Sequence, residues 1–167
     1  MGKIIVIEDK PVFREHVCGM LESEGYTTRT ACDCATARKL LAALETDDIV
    51  LSDLRLPDGE CTSLLEYMRA SGMRNPFVIM TDYAQVVSAV SSMRLGAEDY
   101  IPKTLLQEKL LPRIKELAHK AEARRKISIF ERRSTAFREI NRRISLVAPT
   151  DMGVLILGEN GTGKEHI

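Results

Sequence analysis

Two rhythms of apolar and polar positions alternate along the first hundred residues. KIIVI, from Lys3 to Ile7, is a β-branched run with no helical period, the pattern of a strand buried on both faces. It ends in acid, at Glu8 and Asp9. From Pro11 the apolar positions Val12, Phe13, Val17, Met20 and Leu21, with His16, recur at helical spacing, with Pro11 suited to a first turn and Gly25 beyond the end. The unit then repeats. YTTRTA predicts a strand, and 35–44 a helix with Leu40, Leu41 and Leu44 on one side; DIVLSD predicts the next strand, followed by a turn at LPDG and a helix carrying Leu64, Leu65 and Met68. PFVIM is the fourth strand, and its helix carries Val86, Val87, Val90 and Met93 before Gly96 closes it. EDYIP is the fifth and shortest. Strands alternating in this way with helices predict an α/β fold, a doubly wound parallel sheet with helices on both faces.

After Ile101 the pattern changes. Pro112 does not sit deep inside a helix, so the last helix of this domain should start only a few residues before it. Leu110, Ile114, Leu117 and Ala121 form a heptad-like seam with two readings, a face packed on the domain's own sheet or the start of a dimerising linker helix that continues past Ala121. The basic cluster from Arg124 to Arg133 reads as a solvated linker face or as a phosphate contact. Residues 134–149 predict a further amphipathic helix, with Phe137, Ile140, Ile144 and Val147 in step and Arg138, Arg142 and Arg143 outside. GVLILG then predicts a strand that runs into GENGTGKE. There Gly158, Gly163 and Lys164 fit the phosphate-cradling loop, whose backbone N–H groups wrap a triphosphate.

Composition narrows the function classes. A chain of 167 residues has room for one well-buried domain and a fragment of a second. Its 24 acidic and 24 basic residues give no global field toward nucleic acid or an acidic membrane, so such a role needs a local patch. No apolar run approaches the roughly 20 residues of a membrane helix, and the opening MGKIIVIEDK is too short and too soon acidic for a secretory signal. A soluble cytoplasmic protein without a membrane partner is the expectation. Cys18, Cys32, Cys34 and Cys61 lack the paired spacing of a zinc site; Cys32 and Cys34 would share a face if they lay on a strand.

In a doubly wound sheet, functional residues collect beyond the carboxyl ends of the strands. The first strand delivers Glu8 and Asp9, the third Asp53, the fourth Thr81 and the fifth Lys103. Three crowded carboxylates repel, and a divalent cation with oxygen ligands is the plain remedy; magnesium suits the set. With that charge offset by metal and by Lys103, one carboxylate can attack a phosphoryl group while the Thr81 hydroxyl hydrogen-bonds a phosphoryl oxygen. Each feature alone is weak, since an acid at a strand end commonly caps the next helix. Their convergence from four strands is specific.

The stretches IIVIEDKPVFREHV, DIVLSDLRLPDGE, FVIMTDYA and EDYIPK resemble the receiver domain of bacterial two-component response regulators over roughly residues 3–122. The resemblance implies a flavodoxin-like sheet of strand order 2-1-3-4-5. It also implies that Asp53 accepts a phosphoryl group from a sensor histidine kinase and that Asp9, Asp53 and the backbone carbonyl of Arg55 hold Mg2+, with Glu8 acting on the metal through water. Thr81 and Lys103 would contact the phosphate, Tyr100 would be an aromatic switch, and Pro57 and Gly59 match the turn after the phosphoacceptor strand. Two positions depart from the pattern. Thr104 stands where the family has a proline after a cis bond, and a cis bond to a non-proline residue costs roughly 3 kcal/mol, which favours trans. Asp82 replaces a small residue and adds negative charge at the phosphorylation rim.

APTDMGVLILGENGTGKEHI resembles the start of the AAA+ ATPase domain of NtrC-type activators, which work on sigma-54 RNA polymerase. That makes Gly158, Glu159, Asn160, Gly161, Thr162, Gly163, Lys164 and Glu165 a nucleotide-binding block, with Glu165 in the place where a general phosphate loop prefers Ser or Thr. The expected organisation is a receiver at 1–122, a linker helix at 123–133 and the truncated start of an ATPase domain at 134–167. ATP would then be a ligand only of the full-length protein, polymerase and DNA would be reached only through domains outside this chain, and the fragment would not be an enzyme. The expected mechanism is a switch in a homodimer: phosphorylation moves Thr81 and Tyr100 and reshapes the surface of the fourth helix and fifth strand. Two rivals are an ATP-dependent enzyme whose first domain is only a scaffold, and an interaction module that works without phosphate and tolerates loss of Asp53.

Overall fold

A computed structural model describes residues 2–129, with side chains to Glu122. Two compact units divide the chain, Met1–Arg125 and Lys126–Ile167, and all but the start of the second lies outside the described residues. The expectations for Arg124 to Arg133, for 134–149 and for the loop from Gly158 to Glu165 therefore fall outside the described side chains.

The described chain runs β1 (Lys3–Ile7), α1 (Pro11–Ser23), β2 (Thr27–Ala31), α2 (Cys34–Leu41), β3 (Ile49–Asp53), β4 (Arg55–Leu56), β5 (Gly59–Glu60), α3 (Thr62–Ala70), β6 (Phe77–Thr81), α4 (Val86–Arg94), β7 (Asp99–Pro102), a 3-10 turn at Lys103–Leu105 and α5 (Leu106–Ile129). The main sheet has five parallel strands in the order β2-β1-β3-β6-β7; without the small β4-β5 hairpin this is the expected 2-1-3-4-5. Among the described residues no helix is long and apolar enough to cross a membrane.

Alternation along the strands makes two cores. Ile5, Ile7, Val50, Phe77 and Ile79 pack with Ala37 and Leu41 of α2 and Leu64, Leu65 and Met68 of α3. Ile4, Val6, Leu51, Val78 and Met80 point the other way, onto Val17 and Leu21 of α1 and Leu110, Ile114 and Leu117 of α5. β1, β3 and β6 are apolar at almost every position because both of their faces are covered. Leu110, Ile114 and Leu117 of the α5 seam are thus buried against their own sheet and Ala121 is buried as well, while the helix itself continues past Ala121 to Ile129.

One expected boundary moves, and three patterns gain surroundings that period alone does not give. The apolar stripe of α4 faces solvent: Val86 and Val87 are 80% and 77% exposed, Val90 and Met93 almost half exposed, and Ser92 is the buried position. Periodicity shows which residues share a face but not what the face meets. Val12 and His16 of α1 are exposed as well, leaving Val17 and Leu21 as that helix's buried residues. The second helix ends at Leu41, because Ala43 and Leu44 turn their N–H groups to the carbonyls of Leu40 and Leu41 and tighten the last turn, although Leu44 still packs on the core. Cys32 and Cys34 do not share a strand: Cys32 is exposed in the turn, and Cys34 is buried as the first residue of α2.

The LPDG stretch forms the turn of the hairpin between β4 and β5, and it reaches beyond itself. Asp58 accepts hydrogen bonds from the N–H groups of Cys34 (2.8 Å) and Ala35 (2.9 Å), while Asp33 accepts from Thr36 (2.6 Å). Two carboxylates so satisfy the first three N–H groups of α2, where the helix dipole favours negative charge.

Candidate functional site

The sheet register brings the chemistry to one rim. Ile7 lies beside Ser52, Asp53 beside Met80 and Thr81 beside Pro102, so Glu8, Asp53, Thr81 and Lys103 leave their strands at nearly one level. Glu8, Asp9 and Asp53 each offer a carboxylate oxygen within 4.8 Å of the others. Glu8 is fully buried, Asp53 is 5% exposed and Asp9 is half-buried.

Lys103 closes this acid cluster. Its Nζ lies 2.6 Å from Asp53 Oδ2 and 2.7 Å from Glu8 Oε2, with the lysine side chain only 5% exposed. The approach to Glu8 is an ion pair without hydrogen-bond alignment, and Oε2 has no hydrogen-bond partner among the described residues. The Phe13 ring of α1 stands 4.4 Å from the ammonium, a cation–π contact. Burial pushes the Glu8 carboxyl up from its ordinary value, with the Lys103 contact acting against it. Burial also works against the Lys103 ammonium, but Asp53 and Glu8 outweigh it and hold the lysine above its ordinary value. One ammonium against three carboxylates leaves the cluster net negative. Converging hard oxygen donors, one of them a buried carboxylate oxygen without a hydrogen-bond partner, and surplus negative charge fit a divalent cation such as Mg2+.

The surroundings fix the donors. Arg14 Nη1 donates to the Glu8 carbonyl at 2.7 Å and approaches that of Asp9 at 3.5 Å, tying the strand end to α1. The N–H of Lys10 bonds Glu8 Oε1, and the N–H of Arg55 lies 3.4 Å from Asp53 Oδ1. Thr81 is buried, and its hydroxyl accepts from the Tyr83 N–H and donates to the Tyr83 carbonyl in a closed local turn. Tyr100 packs its ring against the core on the α2–α3 side, with its hydroxyl buried and without a hydrogen-bond partner among the described residues. The Lys103–Thr104 bond is trans, since no described peptide bond is cis.

Sequence reading placed Asp82 at this rim and missed two of the groups around it, Lys10 and Phe13. Asp82 pairs with Lys10 at 2.7 Å and also lies 3.6 Å from Lys103, and Phe13 backs the lysine. The unusual acid at position 82 gave a signal; Lys10 and Phe13 follow Glu8 and Asp9 closely in the chain, but nothing local says that they meet Asp82 and Lys103, 72 and 90 positions away.

Comparison with known proteins agrees with this geometry. The response regulator receiver domain family matches residues 4–115, and the Sigma-54 interaction domain family matches residues 130–167. The chain is 32% identical over 177 residues to the alginate biosynthesis transcriptional regulatory protein AlgB of Pseudomonas aeruginosa, covering 99% of this chain and 39% of that protein. It is 30% identical over 178 residues to the DNA-binding transcriptional regulator NtrC of Proteus hauseri, covering 99% of this chain and 37% of that protein. The chain therefore spans less than two fifths of the length of these curated relatives. A CheY-like response regulator receiver domain protein from Methanospirillum hungatei JF-1 has the same fold, with a TM-score of 0.68 and 27% identity over 74% of this chain and 98% of that one. With an acid rim in a five-stranded parallel sheet and a family match across two thirds of its length, the chain belongs to the response regulator receiver domain family, a family of signalling domains.

Proposed function

We propose that Asp53 accepts a phosphoryl group from a phosphohistidine of a sensor histidine kinase, and that the modification switches a sigma-54-dependent transcription activator. The single observation behind this reading is the buried ammonium of Lys103, held 2.6 Å from an Asp53 oxygen beside two further acids. In the transfer, an Asp53 oxygen donates an electron pair to phosphorus. The phosphorus–nitrogen bond of the donor breaks and its electron pair stays on that nitrogen, so that a ring already protonated at its other nitrogen leaves as neutral imidazole. Lys103 offsets charge on the phosphoryl oxygens, and the Thr81 hydroxyl leaves its turn with Tyr83 to donate to one of them.

Asp9, Asp53 and the Arg55 carbonyl would hold Mg2+, with Glu8 acting through water. Bound there, the ion supplies the positive charge that lets an anionic donor approach carboxylates. Tyr100, on the same strand face as Thr81 by parity, would respond to the movement of Thr81. The exposed apolar stripe of α4 supports a homodimer as the form that phosphorylation adjusts.

The organisation proposed with this mechanism is a receiver at 1–122, a linker helix at 123–133 and the start of an ATPase domain at 134–167. The match over 130–167 supports the last part. ATP at Gly158, Glu159, Asn160, Gly161, Thr162, Gly163, Lys164 and Glu165, contact with polymerase and DNA, and a cytoplasmic place all belong to the longer protein. ATP hydrolysis is not expected of these 167 residues alone.

Intact mass after incubation with acetyl phosphate tests the reading. A labile gain of about 80 Da that needs Mg2+ and is absent from Asp53→Asn is the expected result. No gain under conditions that phosphorylate a control receiver refutes it.

A further inference from the structure

We propose that Asp82 is an internal anion that competes with an incoming phosphoryl group for Lys103, and that Lys10 is the cation that draws it aside. This deepens the phosphoacceptor reading and rests on it for the identity of the incoming group.

The Lys103 ammonium has three N–H donors and four close neighbours. Asp53 lies at 2.6 Å, Glu8 at 2.7 Å and Asp82 at 3.6 Å, with the Phe13 ring at 4.4 Å. With the lysine side chain only 5% exposed, a phosphoryl oxygen that reaches Nζ competes with these neighbours for its donors. Glu8 is fully buried, Asp53 is the proposed acceptor and Phe13 is packed on the core. Asp82 is the one that can yield: its side chain is 43% exposed, and it stands on the loop directly after β6.

The same oxygen of Asp82, Oδ2, lies 2.7 Å from Lys10 Nζ. The carboxylate is thus shared between a buried lysine inside the rim and a lysine outside it that is 60% exposed. An aspartate is charged at neutral pH, and the ion pair with Lys10 holds the Asp82 carboxyl still further below its ordinary range, so it repels an approaching phosphate. Charge on Lys10 biases it outward. Asp82 and Lys10 therefore set how readily an anionic donor enters, without touching the bond that is made. Both are positioning residues.

The test uses the whole chain with Asp82→Asn, Lys10→Met and the double variant, beside wild type. Acetyl phosphate with Mg2+ gives the phosphorylation rate by intact mass, and calorimetric titration with fluoroberyllate gives an equilibrium affinity that needs no donor turnover. Expected are a rate and affinity increased about fivefold in Asp82→Asn, a decrease of similar size in Lys10→Met, and a double variant equal to Asp82→Asn. Opposite signs that vanish when Asp82 is gone are not what loss of a surface ion pair alone would produce. Equal values across the four proteins, or a Lys10→Met effect that persists in the Asp82→Asn background, overturn the proposal. If wild type takes no phosphoryl group yet fluoroberyllate affinity follows the expected order, the phosphotransfer reading falls and the competition stands.

Discussion

Lys103 Nζ and Asp53 Oδ2 lie 2.6 Å apart at almost complete burial, although the two residues are 50 positions apart in the chain. They meet because Asp53 ends a central strand while Lys103 follows β7, with β6 between them. The pair is also the main counterweight to the acid cluster, and its removal gives the first prediction.

Lys103→Met leaves buried Glu8 and Asp53 without their cation. Breaking a buried pair on one side costs roughly 3–5 kcal/mol, so the metal-free variant should unfold at a clearly lower urea concentration. Mg2+ should restore more of that loss than it adds to wild type. Unchanged midpoints without metal would refute the role assigned to the pair.

The caps of α2 predict an acid limb. The Cys34 and Ala35 N–H groups hold the Asp58 carboxyl below its ordinary range, and the Thr36 N–H does the same for Asp33. Because the folded values lie below the unfolded ones, this stabilisation is complete above the ordinary carboxylate value of about 3.9 and fades as pH falls through the lowered values. Asp58→Asn should therefore be less stable than wild type at neutral pH, with the difference narrowing in acid. Denaturation midpoints measured along a pH series would show a constant difference if the cap contributed no such linkage.

Gly96 stops α4 with φ +94, and a Cβ there would stand 3.0 Å from Arg69 Nε. Arg69 in turn bonds the carbonyls of Gly96, Met73 and Asn75, which ties the end of α3 to the start of β7. Gly96→Ala should cost about 1–3 kcal/mol in chemical denaturation through the left-handed backbone alone. A neutral result would mean that the turn relaxes to negative φ.

The exposed stripe of α4 predicts a separation of stability from assembly. Val87→Glu changes a residue that is 77% exposed, so stability should move by less than about 0.5 kcal/mol. Self-association after treatment with phosphodonor should drop in sedimentation or light scattering. Association equal to wild type would place the dimer surface elsewhere.

Much of the fold was legible in the chain. β1, β3 and β6 read as uninterrupted apolar runs because strands covered on both faces need no polar alternation, and acids directly after such runs marked the rim. The seam of α5 was visible as a pattern, but its partner was not: Leu110 and Ile114 suit a coiled coil as well as a sheet, and only burial against Val6 and Met80 decides it. The stripe on α4 was visible too, and period alone does not tell that it faces solvent.

Local chemistry and spacing by themselves determined the alternation of strands and helices, the parallel sheet and the nearness of Glu8, Asp9, Asp53, Thr81 and Lys103 to one rim, because these follow from side-chain period and chain direction. The tertiary structure alone decided which apolar faces meet the sheet, that Asp58 of one hairpin caps α2, and that Asp82 stands between Lys10 and Lys103. Those contacts join residues more than 20 positions apart, where neither propensity nor period acts and only the packing of helices on strands sets the distance.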